Sequence, residues 1–372
     1  MRCPSISASA IKRKPIDKAG RARYHCAMKT SGVVAVALSG GVDSAVAAWI
    51  LRKQGARVIG VTMRLTDGAD PSAAQRSAEA LDIPLQVLDW RERFEEAIIA
   101  PFYVSYATGL TPNPCVWCNE RVKYGWLMQA AEQLGAERLA TGHYARVMQS
   151  ADGAVLYQAE DARQDQSYFL SRVPRAQLER VVLPLGALSK AEVRALAIRA
   201  GLPAASERDS QDICFVGADG YRAELARRYP QALAPGPIVD QSGRQLGEHR
   251  GLGWYTLGQR EGLGIAASEP LYVMALDAAH NRLVVGTRAQ AQTNRVRVSA
   301  LNWLVPVAPA APFSAEARVR YRAPAVKARL VPHGNGYLDI TFKDAQLPAA
   351  PGQTAAFYEG TRLLGSGTIV AE

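Results

Sequence analysis

Hydrophobic and polar positions along this chain fall into two textures. From residue 33 to about residue 147, short apolar runs of β character (33–38, 57–63, 85–88 and 138–141) alternate with stretches of helical periodicity (73–81, 92–106 and 120–134). Further helical stretches are expected at 175–181 and 190–200. This alternation predicts an α/β domain with a parallel sheet and helices on both faces. In such sheets ligands sit beyond the carboxyl ends of the strands, where Ser39, Met63 and Gly142 would fall. From Pro235 onward glycine, proline and short β-rich runs dominate, as at 271–274 and 317–321. That half reads as a small central β-rich module and a C-terminal β-barrel from about Asn294. The segment 306–312, with prolines at 306, 309 and 312, reads as a connector, and no tandem repeat is visible. The expected organisation is a basic tail over 1–30, an α/β domain over 31–217, a central module over 218–292 and a barrel over 293–372.

The most chemically informative stretch is Ser39-Gly40-Gly41-Val42-Asp43-Ser44, directly after the first apolar run. Two glycines between a strand and a helix let the backbone turn sharply and bring its N–H groups close to a ligand. Together with the free donors at the helix N-terminus they form a site suited to phosphate. Ser39 and Ser44 add hydroxyls, and Asp43 could cap the helix or hold magnesium. No lysine follows the second glycine, so the loop is not a Walker A sequence. It resembles the PP-loop of the ATP pyrophosphatases, S-G-G-x-D-S. That resemblance implies cleavage of ATP between its α- and β-phosphates, with adenylation of a substrate oxygen.

There are five cysteines: Cys3, Cys26, Cys115, Cys118 and Cys214. With no secretory segment and no apolar run of transmembrane length, a reducing, cytoplasmic setting without a membrane partner is expected. Cys115 and Cys118 form a C-x-x-C pair after Thr111-Pro112-Asn113-Pro114. The prolines predict a loop there, with a helix starting at Asn119 and Cys118 at its N-terminus, where the dipole favours a thiolate. Alone, a C-x-x-C pair is ambiguous between metal, redox and packing roles. A distant third cysteine, in Asp209-Ser210-Gln211-Asp212-Ile213-Cys214-Phe215, narrows the reading.

Six blocks in order then carry a resemblance over nearly the whole chain after the tail. They are the Ser39–Ser44 loop, the segment from Thr111 to Asn119, Ala140-Thr141-Gly142-His143-Tyr144, Asp165-Gln166-Ser167-Tyr168-Phe169-Leu170, the segment from Asp209 to Phe215, and Tyr255-Thr256-Leu257-Gly258-Gln259-Arg260. The chain resembles the tRNA-specific 2-thiouridylases, which replace oxygen by sulfur at C2 of the wobble uridine. The resemblance implies an ATP site, with Mg2+, formed by Ala37, Leu38, Ser39, Gly40, Gly41, Val42, Asp43, Ser44, Met63 and Gly142. It implies tRNA contacts at Asn113, Pro114, Cys115, His143, Gln164, Asp165, Gln166, Arg320, Tyr321 and Gln353. It further implies that Cys214 carries a persulfide received from a sulfur-relay protein or cysteine desulfurase, with Cys118 as nucleophile. Reaching C2 in an anticodon loop requires the base to be splayed out.

Several positions depart from the family pattern. Cys115 stands where an Asp is common, and a thiol, with an ordinary pKa of about 8.5, does not simply replace a carboxylate. Cys115, Cys118 and Cys214 could instead ligate an iron–sulfur cluster with one open iron. The segment from Leu65 to Ala74 is short, and Glu261 and Gln164 stand where basic residues are common. A different function class, a PP-loop amide ligase on a small substrate, would explain the loop but leave the cysteines and the β-rich half idle.

Charge changes the picture little. The net charge of +10 suggests a polyanionic partner, but residues 1–30 carry eight Lys/Arg and one Asp, so only about +3 belongs to the rest. The tail has no helical periodicity and reads as disordered, or as the product of a start placed ahead of Met28.

Overall fold

The computed structural model describes residues 32–206, 213–217 and 219–371. The basic tail, with Cys3, Cys26 and Met28, and the segment from Asp209 to Asp212 lie outside the described residues.

The first domain is built on a five-stranded, all-parallel sheet. Val33–Ala37 lies at its centre, flanked on one side by Arg57–Arg64 and Leu85–Asp89 and on the other by Arg138–Ala140 and Val181–Val182. The central strand reads as a continuous apolar run because helices cover both of its faces. Helices Val42–Lys53, Ser72–Ala80 and Lys190–Arg199 pack on one side. The chain leaves the central strand toward one edge and returns after Leu85–Asp89 to the other. The crevice beyond Val36 and Ala140, neighbours in register, is thus the point where strand order reverses.

Three elements differ from the sequence expectation. The 175–181 helix is only Arg175–Leu178, and Val181–Val182 instead joins the sheet edge. An unforeseen hairpin, Ala145–Ser150 with Gly153–Gln158, reaches out of the α/β domain. The helix expected from 120 begins at Pro114, because proline at the first helical position costs no hydrogen bond and Asn113 caps it. That helix winds as a π-helix over Cys118–Trp126 before finishing as Leu127–Gln133.

The C-terminal barrel has six antiparallel strands: Thr293–Trp303, Phe313–Arg318, Val326–Pro332, Leu338–Gln346, Thr354–Glu359 and Arg362–Ile369. Pairing of the first with the last closes it, which removes the sheet edges. The proline-rich stretch after Trp303 is a connector between its first two strands. The α/β domain's hairpin is appended to the barrel through Arg362 opposite Tyr157, so one sheet runs from the first domain into the barrel. Between them in sequence lies a four-stranded module, Gly236–Val239, Gln245–His249, Tyr272–Asp277 and Arg282–Gly286. Its leading helix, Tyr221–Arg228, sends Leu225 into an aromatic cluster of the first domain.

Candidate active site

The Ser39–Ser44 loop turns as its glycines require. Gly40 adopts φ +83°, and a Cβ there would lie 2.5 Å from the Cβ of Ala73. The short segment from Leu65 to Ala74 therefore brings the start of a helix directly against the loop, with Asp70 accepting from the Ser72 N–H at 2.9 Å. Ser44 Oγ donates to the Gly41 carbonyl at 3.0 Å and accepts from the Ser39 N–H at 3.2 Å, which fixes the turn. Leu38 and Val42 bury their side chains in the core, so only their backbone is available to a ligand. Met63, half-buried, packs at the end of the neighbouring strand.

Asp43 does not cap the helix; Gly41 occupies the cap position with no side-chain bond. Its carboxylate instead accepts from Lys190 Nζ at 2.8 Å on both oxygens and from the Tyr144 hydroxyl at 2.8 Å. Lys190 is held there by a capping box, in which Ser189 and Glu192 satisfy each other's N–H groups at the start of its helix. Gly142, two residues past the end of the strand next to the central one, is a close-approach glycine. A Cβ there would come 2.8 Å from the carbonyl carbon of Asp43 and the nitrogen of Ser44.

The contacts continue from this loop to the cysteines. His143, next to Gly142, places Nδ1 2.7 Å from Thr141 Oγ1 and 3.2 Å from the Tyr124 hydroxyl, and Nε2 3.4 Å from Lys123 Nζ. Burial, aided by the Lys123 charge, holds the imidazole's pKa well below its ordinary value, so it is neutral. Lys123 in turn acts on all three cysteines, lowering the cost of charging each. The three thiols also feel one another: a negative charge on Cys214 raises both Cys115 and Cys118. Cys115 and Cys214 are exposed to solvent, whereas Cys118 is buried; none of the three is in a disulfide.

The expected thiolate at Cys118 is overturned. The helix starts four residues earlier, so Cys118 is not at its N-terminus, and burial pushes the thiol up to about 12. Desolvation likewise raises Cys115 and Cys214 above the ordinary thiol value. Cys214 is held in place by its neighbour Phe215. That ring meets Phe94 edge-on at 6.0 Å and Phe102 at 5.1 Å between centroids.

The residues expected to contact tRNA gather along the seam between the first domain and the barrel. Asn113 is buried and its Oδ1 accepts from the Val116 N–H at 3.3 Å; Pro114 is buried beside it. Gln353 donates to the carbonyls of Thr111 and Pro112 at 3.0 and 3.1 Å, so the barrel braces the loop that leads to Cys115. Arg320 and Tyr321 lie past the end of a barrel strand, not within an alternating run. Tyr321 packs on Phe169 at 4.2 Å, and Arg320 donates to the carbonyl of Pro348. Asp165 is buried, accepting from the N–H groups of Ala159 and Ser167, each at 3.1 Å, and from Ser167 Oγ at 2.9 Å, with Arg318 at 3.4 Å. Gln166 exchanges bonds with the Tyr144 backbone, its Oε1 accepting at 2.9 Å. Gln164 is half-buried, its N–H donating to Asp161.

Glu261 pairs with Arg260 at 3.1 Å on an open surface. Glu261→Lys is therefore expected to free one cation and add another, steepening the salt dependence of tRNA binding by about one to two phosphate contacts. Filter binding across a salt series checks this; an unchanged slope means that this turn faces away from RNA.

Among the described residues, no three His, Cys, Asp or Glu side chains are grouped to hold a metal ion. The three thiols in this arrangement do not fit the cluster expectation. Mg2+ arriving with ATP would take its ligands chiefly from the phosphates, with Asp43 the loop's carboxylate. Sequence reasoning missed Lys123, Tyr144, Lys190 and Phe215. Of these Tyr144 and Phe215, each closing one of the six blocks, carried a local signal.

Three family models match the chain. They are described as the tRNA methyl transferase HUP domain over residues 32–218, the tRNA methyl transferase PRC-barrel domain over 223–287 and the aminomethyltransferase beta-barrel domain over 293–369. A protein of Magnetococcus marinus named tRNA-specific 2-thiouridylase MnmA is 45% identical over 352 residues, spanning 91% of this chain and 98% of its own. The protein of that name from Syntrophotalea carbinolica is 45% identical over 345 residues, spanning 90% and 98%. The chain belongs to the tRNA-specific 2-thiouridylase family. It is an enzyme, a tRNA-modifying sulfurtransferase with a PP-loop ATP-binding domain. Among the described residues no helix is long and apolar enough to cross a membrane.

Proposed function

We propose that this protein thiolates C2 of the wobble uridine of tRNA, using ATP to adenylate the C2 oxygen and a Cys214 persulfide as the sulfur source. One observation carries the reading: Gly142 packs on Asp43 and Ser44, its neighbour His143 lies 3.4 Å from Lys123 Nζ, and the Lys123 charge is near enough to act on all three thiols. Nucleotide and sulfur chemistry would thus meet at one end of the parallel sheet. A urea-like carbonyl oxygen is a poor leaving group; as an adenylate it departs as AMP. The loop's N–H groups and the Ser39 and Ser44 hydroxyls would hold the phosphates, with Met63 against the adenine and Gly142 giving the nucleotide room.

The outer sulfur of the Cys214 persulfide would attack C2 and displace AMP, after which Cys118 would attack Cys214 Sγ to cleave the S–S bond and free the thiolated base; or Cys118 would first attack the persulfide, releasing sulfide that attacks C2 and displaces AMP. Either route leaves a Cys118–Cys214 disulfide for a reductant to reopen. Cys115 would assist proton transfer. Sulfane sulfur would come from a relay protein or cysteine desulfurase docking at the open side of Cys214. Asn113, Pro114 and Cys115 would receive the target base, while His143, Gln164, Asp165, Gln166, Arg320, Tyr321 and Gln353 would line or brace the tRNA-facing seam. Segment 31–217 would supply the chemistry and 293–372 the RNA support. The cytoplasm, reducing and rich in tRNA, is the compartment we infer.

Purified protein with unmodified tRNA, ATP and a persulfide donor is expected to release AMP and pyrophosphate and to yield 2-thiouridine by nucleoside mass spectrometry. Release of ADP and phosphate would reject the adenylation step. Ammonia-dependent AMP release without tRNA would favour the amide ligase.

A further inference from the structure

Cys118 must act as an anion from a site that disfavours one. Its thiol is buried among apolar side chains, including Val122 and Phe102. Among the described residues, Lys123 is the one cation that pulls on Cys118, on Cys115 and on Cys214 alike. In an α-helix a residue five positions on sits about 140° further round the axis and faces elsewhere. Here the helix changes to π winding at Cys118 and stays so to Trp126, closing with the Leu127 N–H on the Val122 carbonyl. Bonds from i to i+5 widen the turn, so Lys123 lies closer to the face of Cys118 than it would in an α-helix. Gly125 suits the wider turn, since a Cβ there would sit 3.2 Å from the Glu120 carbonyl.

The ammonium is also held at its far side. His143 is neutral, and with its Nδ1 proton directed at Thr141 Oγ1, its Nε2 lone pair faces Lys123 Nζ at 3.4 Å. Thr141 and His143 flank the glycine that packs on the nucleotide loop. Lys123 thus lies against a neutral imidazole and within electrostatic reach of three thiols, each of which gains from a nearby cation when it becomes anionic.

We propose that Lys123, swung toward the cysteine face by the π-helical turn and braced by His143, is a positioning residue that holds whichever sulfur is anionic during transfer. The proposal deepens the reading given above and rests on it for the identity of the reacting sulfurs. The test is differential alkylation: iodoacetamide rates of Cys115, Cys118 and Cys214 at fixed neutral pH, resolved by peptide mass spectrometry, in the full chain and in Lys123→Met and Lys123→Arg. Lys123→Met is expected to slow alkylation of Cys115 and Cys214 at least tenfold and to lower 2-thiouridine formation by about 10²-fold. Lys123→Arg should restore most of both, because the charge and not the packing is what matters. Unchanged alkylation rates in Lys123→Met would overturn the proposal. So would loss in Lys123→Arg as complete as in Lys123→Met with a matching fall in thermal midpoint, which would mark a structural lysine. Alkylation slowed as expected, in a protein whose thiolation survives loss of Cys118 and Cys214, would leave the lysine's effect standing and remove the sulfur-transfer reading.

Discussion

Serine in place of Cys118 or Cys214 is expected to eliminate 2-thiouridine while ATP is still cleaved. Each cysteine would have a step that oxygen cannot take: a serine hydroxyl neither carries sulfane sulfur nor attacks a persulfide at neutral pH. The two sites differ in what else the change does. Cys214 reaches solvent, so its loss should leave folding intact, whereas Cys118 is buried in the aromatic cluster and a hydroxyl there would lack a partner. Cys118→Ala is the control that separates chemistry from stability. Cys115→Ser discriminates between the two sulfur readings. With a persulfide, Cys115 is an acid–base aid, and its loss slows thiolation by about 10²–10⁴-fold at most. If Cys115→Ser is instead wholly inactive and the native enzyme needs anaerobic iron reconstitution, sulfur is delivered from a cluster and the thiols rearrange from the positions described.

The second large effect is expected at Gly142. A methyl group there would press on the backbone of Asp43 and Ser44 at 2.8 Å, where no flexible side chain can give way. Either the nucleotide loop or the strand end must shift by several tenths of an ångström. A misplacement of about 1 Å costs about 10²-fold in rate, so Gly142→Ala, with its smaller shift, should cut AMP release by about tenfold or more and Gly142→Val should abolish it. Gly40→Val should do the same through a different clash, against Ala73, compounded by its positive φ. Binding of tRNA, measured without ATP, should be little changed in all three. If AMP release survives in Gly142→Val, the crevice between these two strands is not the nucleotide site.

Much of this protein was legible in its sequence because the decisive features are local. An apolar run, two glycines and an amphipathic stretch are enough to specify strand, loop and helix around Ser39–Ser44, and proline and glycine punctuation announced the β-rich half. Local rules also misled. They placed Cys118 at a helix start because two prolines precede it, yet Pro114 is tolerated as the first helical residue once Asn113 caps the turn. They ran a β-rich segment through 317–321, whereas the strand ends at Arg318 and Tyr321 closes on Phe169.

By itself the sequence determined most of the order of elements, the strand, glycine loop and helix around Ser39–Ser44, and the start of the β-rich half, since each is encoded within a few consecutive residues. Tertiary structure alone decided which groups meet. The pairing of Val33–Ala37 with Arg138–Ala140 sets Gly142 on Asp43 across about a hundred residues of chain. The docking of Lys190–Arg199 delivers a cation to that carboxylate. A change of helical winding at Cys118 sets where Lys123 falls around the helix, and its ammonium meets His143 at 3.4 Å. Burial then fixes the charge states, raising the thiols and keeping His143 neutral. Desolvation depends on everything packed around a group and leaves no trace in the residues beside it.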